Sequence, residues 1–174
     1  PIKCWWYQIE FVWHKGKWTY KSAADCPYEL TVPIGNGQRT KITQMDPSDA
    51  AETLGVWLAP DGNNKQAIIA LLEKSTLWAD KVRTGYLTPS EAWLSMSTTI
   101  SKQLEYPLLA LTLSAADCKR IEAPMLQQTC ASSFLFKGFP RAIIDAPLEY
   151  HGLDRRSLYF SQGSQHIEAL IKHG

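Results

Sequence analysis

Hydrophobic and polar residues alternate along the first third of the chain. Over residues 4–13 every second side chain is apolar, which predicts a β-strand with one half-buried face. The residues expected on that face are Trp5, Tyr7, Ile9, Phe11 and Trp13. The turn sequence His14-Lys15-Gly16, followed by the short run 17–21, predicts that this strand continues into a β-hairpin.

Two more β features precede Pro60. Residues 28–32 and 39–43 flank a Gly35-Asn36-Gly37 turn and predict a second hairpin. Asp46-Pro47-Ser48 interrupts the pattern as a turn. Residues 53–58, which read Thr-Leu-Gly-Val-Trp-Leu, then predict one further strand.

The hydrophobic period changes after Pro60 to three or four residues, which predicts a helix. Asn63 or Asn64 can cap its start, and Gly85 is expected to end it in a left-handed conformation. The side chains expected on its apolar face are Ile68, Leu71, Leu72, Ser75, Trp78, Val82 and Tyr86.

Two further helices have their own start signals. Thr88, Pro89 and Glu91 predict a capping box with proline at the first helical position, and Pro107 should end this helix. Ser114 and Asp117 predict the next helix, in which Pro124 should cause a kink or an early stop. The expected buried residues are Trp93, Met96, Ile100 and Leu104 in one helix, and Cys118, Ile121, Met125 and Leu126 in the other.

The last stretch combines a short helix or turn at 139–141, a loop that needs Gly152, and a final helix over 161–173. Ile167, Leu170 and Ile171 should share one side of that helix. The whole pattern predicts an α+β fold: a small antiparallel β-sheet with hairpins, followed by a mainly helical bundle. We divide the chain into residues 1–60, 61–132 and 133–174.

Composition adds little about function. Of the 174 residues 45% are hydrophobic and 20% are charged, which is ordinary for a globular protein. The formal net charge is +1, so charge alone does not indicate nucleic-acid binding. No apolar run approaches the roughly 18 residues of a membrane-spanning helix. The chain opens on a strand-like run at Pro1, so we expect it to be part of a longer protein.

The residue types that perform chemistry do not form a complete active site. The four cysteines lack the C-x-x-C spacing of zinc sites, and we expect reduced, mostly buried thiols in an intracellular protein. The four histidines are scattered, and no phosphate-binding loop or G-x-S-x-G motif is present. Asp46 and Asp49 lie beside turn residues and are interpreted as turn formers.

Two segments in order nevertheless resemble reverse transcriptases. Pro1-Ile2-Lys3-Cys4-Trp5-Trp6 and Glu52-Thr53-Leu54-Gly55-Val56-Trp57-Leu58 resemble the two palm segments that follow the catalytic aspartates in that family. Segments 59–65, 78–85, 91–93 and 104–107 resemble the thumb of retroelement polymerases. Residues 139–141 with 147–153 are similar to a segment downstream of the thumb in retrotransposons without long terminal repeats. His151 replaces one of that segment's two glycines.

The resemblance, over roughly residues 1–10 and 50–170, implies the end of the palm and the thumb of an RNA-directed DNA polymerase. The catalytic aspartates would lie before Pro1, so this chain would hold no catalytic residue and no cofactor, while the full polymerase would use Mg²⁺. The implied partners are an RNA–DNA or DNA primer–template duplex and the rest of the polymerase, with no membrane. The role of the inserted residues 14–45 is left open.

The same resemblance assigns candidate site residues. Leu54, Gly55, Val56 and Trp57 would contact the primer, because a glycine-bearing strand can approach a nucleic-acid backbone closely. Lys65, Lys81 and Arg83 would contact phosphates along the minor groove. The structural alternatives are that Leu54 and Val56 are core residues, that Gly55 is a bulge, and that the three cations form a solvated helix face. The functional alternatives are a non-catalytic protein-interaction domain derived from such an element, and an unrelated α+β module whose aromatic strands hold a small ligand.

Overall fold

The computed structural model describes residues 4–25, 28–34, 37–136 and 138–174. The chain forms two compact units, Pro1–Gln66 and Ala67–Gly174. The described strands all lie in the first unit and the second unit is mainly helical, so the predicted α+β class is confirmed. The turn residues Gly35 and Asn36 lie outside the described residues.

Among the residues that the structure describes, eight short strands form four separate two-stranded sheets. The strands are β1 (Trp5–Tyr7), β2 (Phe11–His14), β3 (Lys17–Tyr20), β4 (Thr31–Pro33), β5 (Arg39–Lys41), β6 (Thr43–Met45), β7 (Ala51–Thr53) and β8 (Val56–Leu58). The pairs β2–β3, β4–β5 and β7–β8 are antiparallel hairpins, and the first two were predicted. The pair β1–β6 is parallel and was not predicted. The strand expected over 4–13 is therefore divided, because its first part pairs with β6 and its second part with β3.

The apolar row of that predicted strand is more exposed than expected. The exposed fractions are 38% for Trp5, 50% for Ile9, 59% for Phe11 and 58% for Trp13. A two-stranded ribbon buries a face only when a second layer covers it. The described residues leave Phe11 and Trp13 on this face of β2–β3 more than half exposed, so the expectation of a buried face is wrong there.

Residues 53–58 are a hairpin and not a single strand. Thr53 pairs with Val56, and the two residues between them form a tight turn. Leu54 has φ of 51° and Gly55 has φ of 79°, as a two-residue hairpin turn with two left-handed residues requires. Gly55 is therefore a turn residue and not a strand bulge.

A carboxylate holds the turn before β7. Asp46 accepts hydrogen bonds from the Ser48 backbone N–H at 3.1 Å and its hydroxyl at 2.8 Å. Its second oxygen accepts from the Ser22 hydroxyl at 3.0 Å and the Ala23 N–H at 3.1 Å. These bonds, led by those from Ser48, lower the pKa of Asp46 to about 2. Asp46 is thus a turn former that also joins residues 22–23 to the turn.

The lowered pKa predicts how acid acts on this turn. Asp46→Asn should reduce the free energy of unfolding by about 1 kcal/mol at neutral pH, since the partly exposed carboxylate is screened by solvent. The native chain should exceed Asp46→Asn in free energy of unfolding by the full amount above about pH 4, the pKa of an aspartate in the unfolded chain. This difference should disappear as the pH falls toward 2, the pKa of Asp46 in the folded chain. Urea denaturation of both proteins between pH 2 and 7 measures the difference. A difference independent of pH would contradict this role.

The first helix, α1 (Lys65–Thr84), begins as predicted and ends differently. The side-chain oxygen of Asn63 accepts from the Lys65 N–H at 2.9 Å. The residue with left-handed φ after the helix is Tyr86, at 52°, and not Gly85. Tyr86 is also fully exposed, so it does not extend the buried face. That face consists of Ala67, Leu71, Ser75, Trp78 and Val82.

The second helical stretch changes type along its length. It comprises α2 (Pro89–Ser95), a π-helical segment (Met96–Ile100), α3 (Ser101–Glu105) and a 3₁₀ turn (Tyr106–Leu109). The capping box of Thr88 and Glu91 is present, with Pro89 at the start of the helix. The α-helix ends at Glu105, two residues before Pro107.

The π-helical segment explains which side chains this stretch buries. The buried residues are Ala92, Met96, Ile100 and Leu104, each four positions after the last, whereas Trp93 is half-buried. In an α-helix, side chains four apart drift by about 40° around the axis. The wider i→i+5 turn, seen in the bond from the Ser101 N–H to the Met96 carbonyl, turns less per residue. It therefore helps keep these side chains on one face.

The described remainder of the second unit contains three α-helices and a short 3₁₀ helix (Leu148–Tyr150). The three α-helices are α4 (Ala115–Ser132), α5 (Arg141–Asp145) and α6 (Leu158–His173), and α4 and α3 both pack against α6. Ser114 caps α4 by accepting from the Asp117 N–H at 3.1 Å, as predicted. Pro124 does not stop α4, which continues to Ser132. The four predicted core residues of α4 are buried.

A buried ion cluster joins α4, α5 and α6. Arg155 places Nη1 3.0 Å from Glu122 Oε1 and Nη2 2.7 Å from Asp145 Oδ1. The exposed side-chain fractions are 4% for Arg155, 2% for Glu122 and 34% for Asp145. Glu122 Oε1 also accepts the backbone N–H of Leu158, at the start of α6. We call these three charged residues the Arg155 cluster.

Candidate nucleic-acid interface

One face of α1 borders a groove in the second unit. The groove has a volume of about 380 Å³. The residues that line it are Lys74, Leu77, Trp78, Lys81, Val82, Gly85 and Leu87 on one side, and Ser95, Thr99 and Gln103 on the other. Trp78 donates its indole N–H to the Ser95 hydroxyl at 3.3 Å, which ties the two sides together. We call this feature the α1 groove.

The α1 groove is positively charged although the chain is nearly neutral. Its lining includes Lys74 and Lys81 and no aspartate or glutamate. Both lysines are exposed, and neither forms an ion pair with any residue that the structure describes. They lie seven positions apart, so both project from the same face of α1. The groove therefore offers two available ammonium groups beside neutral donors.

The structure separates the three predicted phosphate contacts. Because an α-helix turns about 100° per residue, Lys65 and Arg83 lie about 160° around α1 from Lys81. Arg83 also pairs with Asp80, at 3.1 Å between Nη2 and Oδ1. Of the three, only Lys81 lines the α1 groove. Sequence reasoning missed its companion Lys74, which the seven-residue spacing from Lys81 could have indicated.

Lys65 and Trp57 lie together at a cavity of the first unit. This cavity of about 460 Å³ is lined by Met45, Ser48, Asp49, Ala50, Trp57, Asn63, Lys65 and Gln66. Tyr7 donates its hydroxyl to the Asp49 backbone carbonyl at 3.0 Å, on the same segment. The lining includes one carboxylate and one ammonium group, so its charge is balanced. The structure thus brings Trp57 beside Lys65, as part of a site different from the α1 groove.

The remaining primer-contact residues form the hairpin β7–β8. Leu54 is 86% exposed at the tip, so it is not a core residue. Val56 is 8% exposed, so its side chain supports the hairpin and is not presented to a ligand. A Cβ placed on Gly55 would have no atom within 4 Å apart from those of its chain neighbours. Glycine is therefore needed here for its positive φ and not for lack of space. The tip offers Leu54 and an open backbone at Gly55, and primer contact by this segment stays a prediction.

Two of the three cysteines that the structure describes are buried thiols. Burial raises the pKa of Cys118 to about 11 and also raises the pKa of Cys130, which keeps both protonated at neutral pH. Cys4 is exposed, and Cys26 lies outside the described residues. Within the described ranges no three metal-ligating side chains form a group.

In the part of the chain that the structure describes, none of the helices combines the length and the apolar character needed to cross a bilayer. Comparison of the chain with protein-family models, with curated proteins and with solved structures finds no match.

Proposed function

We propose that this chain holds the primer–template duplex for a reverse transcriptase whose catalytic aspartates lie outside it. The observation that carries the proposal is the α1 groove, whose lining includes Lys74 and Lys81 and no aspartate or glutamate. Basic side chains that neutralise phosphates dominate the affinity of proteins for nucleic acids. The order of motifs along the chain, with a glycine-bearing hairpin before the helices, supports the same function.

The spacing of the two lysines suits a duplex. Seven residues of α-helix extend about 10.5 Å at 1.5 Å per residue. This length matches about three steps of a duplex strand, which rises 3.4 Å per nucleotide. A helix lying along the duplex could therefore bring both ammonium groups to phosphates of one strand.

Neutral groups of the α1 groove add suitable donors. Ser95, Thr99 and Gln103 line the side opposite the lysines. Hydroxyl and amide groups commonly contact phosphate and sugar oxygens, and a 2′-hydroxyl distinguishes an RNA strand from a DNA strand. The groove is thus equipped to position a duplex without reading its sequence. Positioning within about an ångström is what a polymerase requires of parts that perform no chemistry.

Removing the two lysines should weaken duplex binding in a salt-dependent manner. For Lys74→Ala with Lys81→Ala we expect the slope of log affinity against log salt to fall in magnitude by about 1.8, from two lost phosphate contacts. Affinity at low salt should fall at least tenfold. Fluorescence anisotropy with a labelled RNA–DNA hybrid, at several salt concentrations, measures both quantities.

A matched variant separates a site from net charge. Lys119→Ala with Arg120→Ala removes the same charge from an exposed part of α4 that does not line the α1 groove. We expect this control to keep nearly the native slope and affinity. Equal losses in the two double variants, or no binding of the hybrid at low salt, would refute the proposal. Arg83→Ala should have a small effect, since Arg83 lies on another face and is paired.

A protein-interaction domain is the second candidate, and α6 favours it. Phe160, Ile167, Leu170 and Ile171 are 61–79% exposed on one side of that helix. The sequence predicted that the last three share a side, and helical geometry places them there. Exposed apolar faces of this kind often contact another protein. Loss of concentration-dependent self-association in Ile167→Glu with Ile171→Glu, together with no binding of the hybrid, would favour this candidate.

A further inference from the structure

The hairpin β2–β3 carries four aromatic side chains on one face. Phe11 lies opposite Tyr20 with ring centroids 5.0 Å apart, and Trp13 lies opposite Trp18 at 5.2 Å with ring planes at 71°. Such cross-strand pairs stabilise a hairpin. The pairing leaves much of each side chain accessible to a ligand, because 59% of Phe11, 58% of Trp13 and 67% of Trp18 remain exposed. We call this surface the aromatic ribbon.

The tip of the aromatic ribbon is basic. Lys15 occupies the turn with φ of 49°, and Lys17 begins β3. Residues 11–20 include no aspartate or glutamate, and neither lysine has an ion-pair partner among the residues described. Lys17 belongs to the other face of the hairpin, but its flexible four-carbon stem can carry the ammonium group around the edge. An exposed aromatic surface therefore adjoins two available positive charges.

Aromatic rings beside basic groups are the combination by which proteins bind single-stranded nucleic acid. The spacing of the ribbon favours a single strand over a duplex. Its two aromatic pairs are two residues apart along each strand, or about 6.7 Å. This distance is about twice the 3.4 Å rise of a duplex strand, so bases resting on both pairs must be separated from each other. Unpaired nucleotides can separate in this way, whereas nucleotides in a duplex cannot.

We infer that the aromatic ribbon is a binding site for unpaired, single-stranded nucleic acid. Bases stack on the Trp13–Trp18 and Phe11–Tyr20 pairs, and phosphates lie near Lys15 and Lys17. This site goes beyond the proposed duplex function. It uses other residues and another form of nucleic acid, so either proposal can fail without the other.

Two probes isolate the stacking contribution in the full chain. One is a labelled single-stranded DNA of mixed sequence, and the other is an abasic strand of equal length with the same phosphates. Trp13→Val with Trp18→Val should weaken binding of the first probe about tenfold to a hundredfold. Binding of the abasic strand should stay unchanged. Valine keeps a β-branched cross-strand pair, so the hairpin retains its strand preference.

A second variant tests the basic tip without touching the rings. Lys15→Asn with Lys17→Gln should reduce the salt slope for single-strand binding by about 1.4 in magnitude. Asparagine tolerates the left-handed backbone at position 15. The charge-matched variant Lys119→Ala with Arg120→Ala, on an exposed part of α4, serves as the control and should bind the single strand as the native chain does. If the valine variant fails to fold, the salt slopes of Lys15→Asn with Lys17→Gln and of the control variant still test the inference.

Three results would overturn the inference. The first is no binding of the single strand at low salt. The second is equal weakening of both probes by the valine variant, which would show that stacking is not involved. The third is native self-association, seen by sedimentation velocity, that the valine variant abolishes while single-strand binding is unaffected. In that case the aromatic ribbon would be a contact between protein chains.

Discussion

Arg155→Ala is expected to lower the free energy of unfolding by about 3–5 kcal/mol. The Arg155 side chain is 4% exposed and lies between Glu122 and Asp145. Its removal leaves the Glu122 carboxylate, 2% exposed, without a positive partner in the core. A buried unpaired charge is among the most destabilising changes in a protein. Chemical denaturation followed by far-ultraviolet circular dichroism measures the loss.

Replacing both partners should be less harmful than replacing one. Arg155→Leu with Glu122→Met removes both buried charges, and Asp145 keeps access to solvent because 34% of its side chain is exposed. The Leu158 N–H then loses its acceptor, which costs about 1–3 kcal/mol. We still expect the double variant to be more stable than Arg155→Ala. If the double variant is less stable than Arg155→Ala, the instability of Arg155→Ala does not come mainly from the unpaired charge of Glu122. The Arg155 cluster would then itself stabilise the native chain.

Gly152→Ala should destabilise the second unit by about 4 kcal/mol or more. A Cβ at this position would lie 2.0 Å from the carbonyl oxygen of Ala146 and 2.4 Å from its carbonyl carbon. Both are backbone atoms, so no side-chain rotation can relieve the overlap. The Gly152 N–H also donates to the Pro147 carbonyl at 3.1 Å, which fixes the loop in this position. Thermal unfolding of native and variant chains measures the effect.

The neighbouring residue provides the control for Gly152. His151 has φ of 59°, a left-handed conformation that costs a residue with a Cβ about 1–2 kcal/mol. His151→Gly relieves this strain, while glycine loses more entropy on folding, so we expect a change between zero and about 1 kcal/mol in favour of the variant. A marked loss of stability in His151→Gly would show that its side chain has a role.

The losses of stability expected in Arg155→Ala and Gly152→Ala concern the helices that pack behind the α1 groove. The Arg155 cluster and the Gly152 loop connect α4, α5 and the start of α6. Helices α4 and α6 in turn pack against the stretch from α2 to α3, which carries Ser95, Thr99 and Gln103. We therefore expect weaker duplex binding in Arg155→Ala only under conditions where the unit is partly unfolded.

Local signals in the sequence determined the starts of α1, α2 and α4 and the turn of the first hairpin, whereas α6 begins at Leu158 and not at residue 161. The Thr88 capping box and the Ser114 cap are present as predicted, because each joins side chains and backbone groups three residues apart. The turn at Gly16 was also predicted, since its conformation depends on the residues within it. Gly152 was expected to be obligatory, and the Ala146 carbonyl supplies the physical reason.

Only the tertiary structure decided which partners meet across long stretches of chain. The parallel pairing of β1 with β6 and the contact of Glu122 with Leu158, 36 positions later, depend on packing that no local pattern encodes. The exposure of a side chain also depends on which distant segments cover it. Phe11 and Trp13 of the predicted apolar row therefore belong to an exposed surface, the aromatic ribbon. The seven-residue spacing of Lys74 and Lys81 was readable in the sequence. Their groove was not, because its other side comes from a different helix.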